Sequence, residues 1–392
     1  FDEKEIFMIP YGRQNISDSD IEAVVSVLKS DYLTQGPVVP EFEKKICEYT
    51  KASYAVAVNS GTSALHVACL SLGLGKGDWL WTSTISFVAS ANCGLYCDSK
   101  IDFIDIDPIT WNISIEKLKA KLIFAKKNNQ LPKVIVMVHL SGLSCDMKEV
   151  KKLSQEFKFY IIEDACHAIG GKYKKNKIGS CVYSDISVFS FHPVKNMTSG
   201  EGGMAVTNNS VLANKMSIFR SHGITRDKKL MAHDSDGAWY YQQIDLGFNY
   251  RMTDIHAALG ISQLLRLDEN IKARHKIANF YNDTLSDLPL QLPYQSDEQY
   301  SGSHLYIIRL KSAKLKKTRN KVFQFLRDSG IGVNVHYVPI HTQPYYRKLG
   351  FSSGDFPEAE TYYEEAISLP IFPDLSIKDQ EFVVSKIVEA LQ

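Results

Sequence analysis

The sequence has almost no net charge and no long apolar run. Its 45 basic and 44 acidic side chains leave a formal net charge of +1 over 392 residues. This balance gives no overall field that would attract nucleic acid or an anionic membrane, so we expect neither as a partner. Any phosphate on a ligand must then be bound by local groups. No apolar run reaches the length that spans a bilayer, so we expect no membrane segment.

Signal-peptide features, internal repeats and a disulfide framework are also missing. The acidic start Phe1-Asp-Glu-Lys-Glu lacks a basic flank and an apolar core, so we expect a cytoplasmic protein. Met8 resembles a natural start, and residues 1–7 are interpreted as a remnant of cloning. The seven cysteines are an odd number and lie mostly in apolar segments, which is typical of buried thiols in a reducing compartment. No second Cys or His pair lies near Cys93 and Cys97, so we predict no metal site.

Strand-like and helix-like runs alternate in the first two thirds of the chain, after an amphipathic helix predicted over residues 18–30. The predicted strands are 55–59, 80–84, 101–106, 134–140, 159–162 and 186–191. The predicted helices between them are 63–72, 88–97, 115–126 and 147–157. Nearly continuous apolar strands must be covered on both faces. The pattern therefore predicts an α/β fold with a mostly parallel, doubly wound sheet.

The pattern of predicted helices and strands changes near residue 267. The predicted elements there are a charged helix (268–283), a strand (305–310), a helix (318–329), a strand (333–338) and two closing helices. This is enough for a compact second unit. We therefore predict a large domain over residues 1–266 and a small C-terminal α/β domain over residues 267–392.

One lysine stands in a polar turn after an apolar strand-like run. The stretch Ser187-Val-Phe-Ser-Phe-His-Pro-Val-Lys195 is followed by glycines at 200, 202 and 203, where the backbone can bend sharply. Most lysines in such loops are simply solvated. The upstream run Phe157-Lys-Phe-Tyr-Ile-Ile-Glu163-Asp164-Ala-Cys-His167 changes this interpretation, because it ends in two carboxylates and an imidazole.

In a parallel sheet these two strand ends open onto the same crevice. A lysine amine and a carboxylate in one crevice are what pyridoxal phosphate needs. The amine forms a Schiff base with the cofactor, and the carboxylate keeps the pyridine nitrogen protonated. We therefore predict Lys195 as the catalytic residue and Asp164 as a cofactor ligand.

The loop Asn59-Ser-Gly61-Thr62-Ser63 follows the first predicted strand and begins a helix. The start of a helix offers unpaired N–H groups and a positive dipole to an anion, and Gly61 permits close approach. A phosphate can bind there, although a plain helix cap is the commoner use of such residues.

Three separated motifs resemble the DegT/DnrJ/EryC1/StrS sugar aminotransferases. They are Asn59-Ser-Gly-Thr-Ser-Ala-Leu65, Glu163-Asp164-Ala-Cys-His167, and the run Ser190-Phe-His-Pro-Val-Lys195-Asn-Met-Thr-Ser-Gly-Glu-Gly-Gly203. The resemblance covers nearly the whole chain. It implies the aspartate aminotransferase fold (fold type I), pyridoxal phosphate as cofactor and nucleotide-linked keto sugars as substrates.

The resemblance also assigns roles to single residues. Phe87 would stack on the pyridine ring, His167 would contact the cofactor near its ring oxygen, and Ser190 would bind either the phosphate or the substrate. Asn249 would reach the phosphate in the partner subunit and Arg251 would approach the sugar nucleotide, so each site would be shared within a homodimer. A core aromatic, a structural histidine and a surface ion pair remain the alternatives for Phe87, His167 and Arg251.

Within the family, several segments resemble the transaminases of pseudaminic acid biosynthesis. Two of them are Met8-Ile-Pro-Tyr-Gly-Arg-Gln14 and Arg220-Ser-His-Gly-Ile-Thr-Arg-Asp227. This resemblance implies glutamate as amino donor and a UDP-linked 4-keto-6-deoxy-N-acetylhexosamine as acceptor, aminated at C4. The residues it places at the substrate are Tyr11, Asp31, Tyr32, Leu33, Thr34, Arg251, His336 and Tyr337.

Three alternatives remain open from the sequence. The first is an aminotransferase acting at C3 or C4 of another nucleotide sugar. The second is a sugar dehydratase of the same fold, which would carry histidine at position 195, so Lys195 argues against it. The third is a non-catalytic regulator that binds pyridoxal phosphate.

Overall fold

The computed structural model describes residues 8–392, so the interpretation of residues 1–7 lies outside the described part. Its helices are α1 (Asp18–Leu28), α2 (Val38–Thr50), α3 (Gly61–Ser71), α4 (Ala89–Leu95), α5 (Ile115–Lys127), α6 (Met147–Phe157), α7 (Ser210–Phe219), α8 (Asp254–Leu265), α9 (Leu267–Leu285), α10 (Arg319–Asp328), α11 (Pro344–Arg347), α12 (Pro357–Glu365) and α13 (Ile377–Leu391). Short 3₁₀ helices cover Leu140–Gly142, Ser312–Lys314 and Ile340–Thr342. None of the helices between residues 8 and 392 has both the length and the apolar content that crossing a bilayer requires.

Between residues 8 and 392, six of the strands are only two residues long. In chain order they are β1 (Tyr54–Val58), β2 (Trp79–Ser83), β3 (Lys100–Ile104), β4 (Val134–Val138), β5 (Tyr160–Asp164), β6 (Lys172–Tyr173), β7 (Asn176–Lys177), β8 (Ile186–Ser190), β9 (Gly203–Thr207), β10 (Ile224–Thr225), β11 (Gln242–Gln243), β12 (Leu290–Gln291), β13 (Gln299–Tyr300), β14 (Tyr306–Leu310) and β15 (Ala366–Leu369).

A seven-stranded sheet forms the centre of the molecule, in the order β1-β9-β8-β5-β4-β2-β3. The pairs from β8 to β3 are parallel, whereas β9 runs antiparallel to both β8 and β1. The prediction of an α/β fold with a mostly parallel sheet is therefore confirmed. All six predicted strands are present in this sheet, and β9 is the strand that the sequence analysis did not identify.

Helices cover both faces of the sheet. Successive strand residues point to opposite faces, so Ile161 joins one apolar cluster and Ile162 the other. One cluster includes residues of α2, α5, α6 and α8, and the other includes residues of α3, α4 and α7. Burial on both faces explains why the strands are nearly continuous apolar runs.

The last third of the chain has its own sheet and apolar cluster. Strands β12, β14 and β15 form an antiparallel sheet, and its cluster includes residues of α9, α10 and α13 together with Ile9. The division into 1–266 and 267–392 stays a prediction.

The predicted strand at 333–338 was wrong. Between residues 333 and 338, only Asn334 forms a β-bridge, an isolated one to Ser368 of β15. The buried side chain of His336 donates to or accepts from the Ser368 hydroxyl, and Tyr337 turns toward the crevice of the large sheet. These side-chain contacts replace a continuous ladder, so the segment is a loop at the site.

Candidate active site

A cavity of about 460 Å³ opens at the carboxyl ends of the parallel strands. The end of β5, the end of β8 and the start of α3 meet there, as expected for a ligand crevice in a sheet of this type. The residues that line it are Tyr11, Ser60, Gly61, Thr62, Leu65, Ser86, Phe87, Ala89, Val138, Asp164, Cys166, His167, Ser190, His192, Val194, Lys195, Glu201, His304, His336 and Tyr337.

Lys195 lies in a turn that closes on the end of the β8 strand. Its N–H donates to the carbonyl of His192 at 2.9 Å, and further along the turn the N–H of Ser199 donates to the carbonyl of Phe191 at 3.0 Å. Both bonds hold the turn that presents the lysine to the cavity. Burial lowers the pKa of Lys195, while the neighbouring Cys166 and Asp164 act in the opposite direction. A buried amine with a lowered pKa can exchange protons near neutral pH.

Asp164 is the last residue of β5 and is only 7% exposed. Its Oδ2 accepts a hydrogen bond from Ser90 Oγ at 2.6 Å, and its Oδ1 accepts one from the Cys166 N–H at 3.2 Å. Ser90 is also 2.6 Å from the hydroxyl of Ser86. Donors to both oxygens orient the carboxylate at the cavity wall, which suits a negative partner for a protonated ring nitrogen.

The start of α3 forms another wall of the cavity. Ser60 caps the helix by accepting from the Ser63 N–H at 3.1 Å, and the Ser63 hydroxyl donates to Asn59 Oδ1 at 2.6 Å. A Cβ on Gly61 would lie 2.9 Å from Ser190 Cβ, so only glycine leaves this approach open. The first N–H groups of the helix and the hydroxyls of Thr62 and Ser190 suit a phosphate.

Three histidines and Tyr337 form the wall nearest the C-terminal part of the chain. Tyr337 Oη lies 3.0 Å from His167 Nε2, and the ring centres of His167 and His304 are 4.5 Å apart. Burial is the main cause that lowers the pKa values of His167, His304 and His336, and neighbouring positive charge lowers them further. The pKa of His336 falls to about 4. These imidazoles are therefore neutral at pH 7. The buried Nδ1 of His167 has no hydrogen-bond partner among the described residues.

The cavity fits pyridoxal phosphate. It has a buried amine, an oriented carboxylate, a helix start for an anion and an exposed aromatic face, since Phe87 is 58% exposed. The site residues predicted from sequence that line this cavity are Tyr11, Gly61, Thr62, Phe87, Asp164, His167, Ser190, Lys195, His336 and Tyr337. Ser63 does not line the cavity, but it follows the lining residue Thr62 in the first turn of α3.

The other predicted site residues lie elsewhere in this chain. The Leu33 carbonyl accepts from the Asp254 N–H at 3.0 Å, and Thr34 pairs with Thr253, which places residues 31–34 beside the start of α8. Asn249 pairs with Ser221, and Arg251 pairs with Val58. A single chain therefore does not bring Asp31, Tyr32, Leu33, Thr34, Asn249 or Arg251 to the wall of the cavity.

Several lining residues were not predicted from the sequence. His304 is an example, and Ser90, which does not line the cavity itself, was missed as the donor to Asp164. Both depend on packing between distant parts of the chain. Ser60 had a visible signal, because it precedes the predicted start of a helix as a cap residue.

Comparisons with known proteins agree with this geometry. The sequence pattern described as the DegT/DnrJ/EryC1/StrS aminotransferase family matches residues 14–388. A UDP-4-amino-4,6-dideoxy-N-acetyl-beta-L-altrosamine transaminase from Campylobacter jejuni is 38% identical over 98% of each chain. The spore coat polysaccharide biosynthesis protein SpsC from Bacillus subtilis is 36% identical over 98% of this chain and 97% of that protein.

A solved structure has the same fold. The Helicobacter pylori aminotransferase PseC, described as involved in the biosynthesis of pseudoaminic acid, superposes with a TM-score of 0.89 at 30% identity, covering 98% of this chain and 99% of that chain. The predicted fold, the predicted enzyme class and pyridoxal phosphate as cofactor are thereby confirmed, and the chain belongs to the DegT/DnrJ/EryC1/StrS aminotransferase family.

Proposed function

We propose that this enzyme transfers an amino group from glutamate to C4 of a UDP-linked 4-keto-6-deoxy-N-acetylhexosamine, in pseudaminic acid biosynthesis. The observation that carries the chemistry is that Lys195 and Asp164 line one cavity, the first with a lowered pKa and the second with both oxygens hydrogen-bonded. The sugar and pathway are proposed from the names of the Campylobacter jejuni and Helicobacter pylori relatives.

The residues predicted from the sequence then have the following roles. Pyridoxal phosphate, when bound, supplies an electron sink for breaking the C–H bond next to the amine. Lys195 would hold the cofactor, and its amine would move a proton to or from the substrate carbon. Asp164 holds the proton on the ring nitrogen. Gly61, Thr62, Ser63 and Ser190 would hold the phosphate end, and Phe87 would lie against the ring.

We propose that the substrate enters between the large sheet and the loop at 333–339. Tyr11, His336 and Tyr337 line that side of the cavity, and the Tyr11 and His336 rings are 5.3 Å apart between centres. Their hydroxyl and imidazole groups offer neutral hydrogen bonds to a sugar. The overall net charge of +1 leaves binding of the UDP phosphates to local cations such as Arg251.

We further propose a homodimer in which each site borrows residues from the partner chain. Asn249 and Arg251 lie away from the cavity of their own chain, and the segment before them exposes large apolar side chains. Trp239 and Leu246 are each 74% exposed, and Tyr241 and Ile244 between them are exposed as well. Such a run of exposed apolar side chains in one segment is typical of an interface. The cytoplasmic location stays a prediction.

A second candidate is amination of a different nucleotide keto sugar, at C3 or C4. It is favoured by the similarity to SpsC, which is nearly as high as that to the Campylobacter jejuni protein. The two candidates share the same cofactor chemistry and differ in which groups surround the sugar ring.

The test is incubation of the enzyme with UDP-linked 4-keto sugars, a 3-keto nucleotide sugar and glutamate, followed by NMR of the product. The proposal expects an equatorial or axial amine at C4 of the N-acetylated sugar and little turnover of the 3-keto compound. Amination only of the 3-keto compound would support the second candidate. A cofactor-loaded enzyme that aminates none of these sugars would overturn the proposed substrate class.

A further inference from the structure

One hydrogen bond joins the two sides of the cavity. Tyr337 Oη, on the loop after residue 333, lies 3.0 Å from His167 Nε2, three residues beyond Asp164 at the end of β5. The two rings are stacked at an angle of 20°, with centres 6.0 Å apart. Both side chains line the cavity, so the bond stands at the place where a ligand would bind.

Both partners of this bond are neutral. Burial raises the pKa of Tyr337, and the nearby Asp164 raises it further, so the phenol keeps its proton. Burial and then Lys195 lower the pKa of His167, so its ring carries a single proton. His304, whose ring lies against that of His167, is neutral for the same reasons.

The remaining question is which nitrogen of His167 carries that proton. If Nδ1 carried it, a buried N–H donor would have no acceptor, because Nδ1 has no partner among the described residues. Unpaired buried N–H groups are rarer than unpaired acceptors. If Nε2 carries the proton, it donates to Tyr337 Oη, and the Tyr337 O–H is left free to donate into the cavity.

We propose that His167 is a positioning residue for Tyr337. Its Nε2–H donates to the phenol oxygen and thereby directs the Tyr337 O–H at an acceptor oxygen of the bound sugar. The inference deepens the proposed function and rests on it for the identity of the acceptor. The direction of the hydrogen bond itself is a property of the protein and does not depend on the substrate.

The kinetic test compares Tyr337→Phe, His167→Leu, His167→Gln and the double variant His167→Leu/Tyr337→Phe. Removing either member of the bond is expected to lower kcat/KM for the keto sugar roughly 10-fold, the worth of one directed hydrogen bond. The double variant is expected to lose about as much as either single one, because the pair acts as a unit. His167→Gln is the matched control, since its amide N–H can still donate to Tyr337 and should retain most of the activity.

Losses that multiply in the double variant would overturn the proposal, because His167 would then act on the ligand without Tyr337. A His167→Gln variant as impaired as His167→Leu would overturn it as well.

The second test needs no substrate. Protein labelled with ¹⁵N in its histidines is measured by long-range ¹H–¹⁵N NMR, and the His167 signals are identified by their loss in His167→Gln. The proposal expects the neutral ring with the proton on Nε2, and a mixture of the two neutral forms in Tyr337→Phe. A proton on Nδ1 in the unaltered protein would overturn the proposal, whatever sugar the enzyme uses. Failure to aminate any sugar with the Nε2 form present would instead count against the proposed function alone.

Discussion

Asp164 is the residue at which charge and geometry can be separated most cleanly. Asp164→Asn keeps the size of the side chain and an acceptor for Ser90, while it removes the negative charge. Without that charge the pyridine nitrogen of the bound cofactor would lose its proton. We therefore expect turnover to fall on the order of 100- to 1,000-fold. Cofactor binding should change much less. Turnover is measured with glutamate and a keto sugar, and bound cofactor by its absorbance.

Asp105→Asn is a suitable control for this prediction. Asp105 is another buried carboxylate, but it accepts from the N–H groups of Glu358 and Ala359 at the start of α12 and does not line the cavity. Its replacement should reduce stability and leave turnover nearly unchanged. Equal effects of both substitutions on turnover would show that Asp164 has no special electrostatic role.

The buried pair of His139 and Glu163 predicts how the free energy of unfolding varies with pH. Glu163 Oε2 lies 2.8 Å from His139 Nε2. Burial alone would lower the pKa of His139, but the side chains of Cys145 and Glu163 raise it from its ordinary value of 6.5 to about 10. A raised pKa means that the folded protein holds this proton more tightly than the unfolded chain does. The resulting stabilisation is complete below pH 6.5 and is lost as the pH rises toward 10.

The variant His139→Leu tests this pH dependence. At pH 6 the variant should be less stable by about 3–5 kcal/mol, because the buried Glu163 loses its positive partner and keeps only the Ser184 hydroxyl as a side-chain donor. The gap in the free energy of unfolding between the two proteins should narrow steadily from pH 6.5 to 10, as measured by urea denaturation. A gap that stays constant over this range would mean that His139 is neutral in the folded protein.

Among single residues, the sequence predicts the site role of those whose neighbours in the chain already suggest chemistry. Asp164 and Lys195 end strand-like runs, and both line the cavity. Ser90 gave no such signal, because its hydrogen bond to Asp164 depends on α4 packing over the end of β5 across 74 positions of the chain. Asn249 and Arg251 came from resemblance alone, and one chain does not place them at the site.

Among the elements, the start of α3 carries the clearest prediction. Gly61→Ala would place a methyl group 2.9 Å from Ser190 Cβ, where β8 ends. The strand or the helix must then shift, and we expect cofactor binding to weaken by about 1–3 kcal/mol while the fold is retained. The dissociation constant for pyridoxal phosphate is the quantity to measure.

Gly75→Ala is the matched control, since a methyl group there would meet nothing within 4 Å. It should bind the cofactor as the unaltered protein does. If Gly61→Ala also binds normally, the close approach of α3 and β8 is not needed for the phosphate.

The elements that the sequence predicted well are those with strong periodicity. Helix α6 was predicted with the bounds it has, and the six apolar strands all lie in the central sheet. Strand β9 was missed because it directly follows the glycines of the lysine turn, which indicated a loop. Residues 333–338 showed a strand-like pattern, but His336 and Tyr337 contact groups on different elements, and this overrides the local preference.

For the whole molecule, the proposed sharing of sites between two chains predicts complementation. Lys195→Ala and Arg251→Ala should each be inactive as homodimers. When the two variants are mixed under conditions that let subunits exchange, half of the dimers are hybrids, and each hybrid has one intact site. About a quarter of the original activity should therefore return.

Mixing Lys195→Ala with Asp164→Asn provides the control for complementation. Each chain supplies both residues to its own cavity. Every site of a hybrid dimer therefore carries one of the two substitutions, and no activity should return. Recovery in this control, or no recovery in the first mixture, would contradict sites shared through Arg251.

The claim on which the account depends is that Lys195 holds the cofactor in the cavity that Asp164 borders. It is tested most directly by reducing the cofactor-loaded enzyme with borohydride and mapping the labelled peptide by mass spectrometry. We predict a phosphopyridoxyl group on Lys195 alone, and its loss when glutamate is added before the reductant. A label on a lysine outside the cavity, or none on Lys195, would contradict the account.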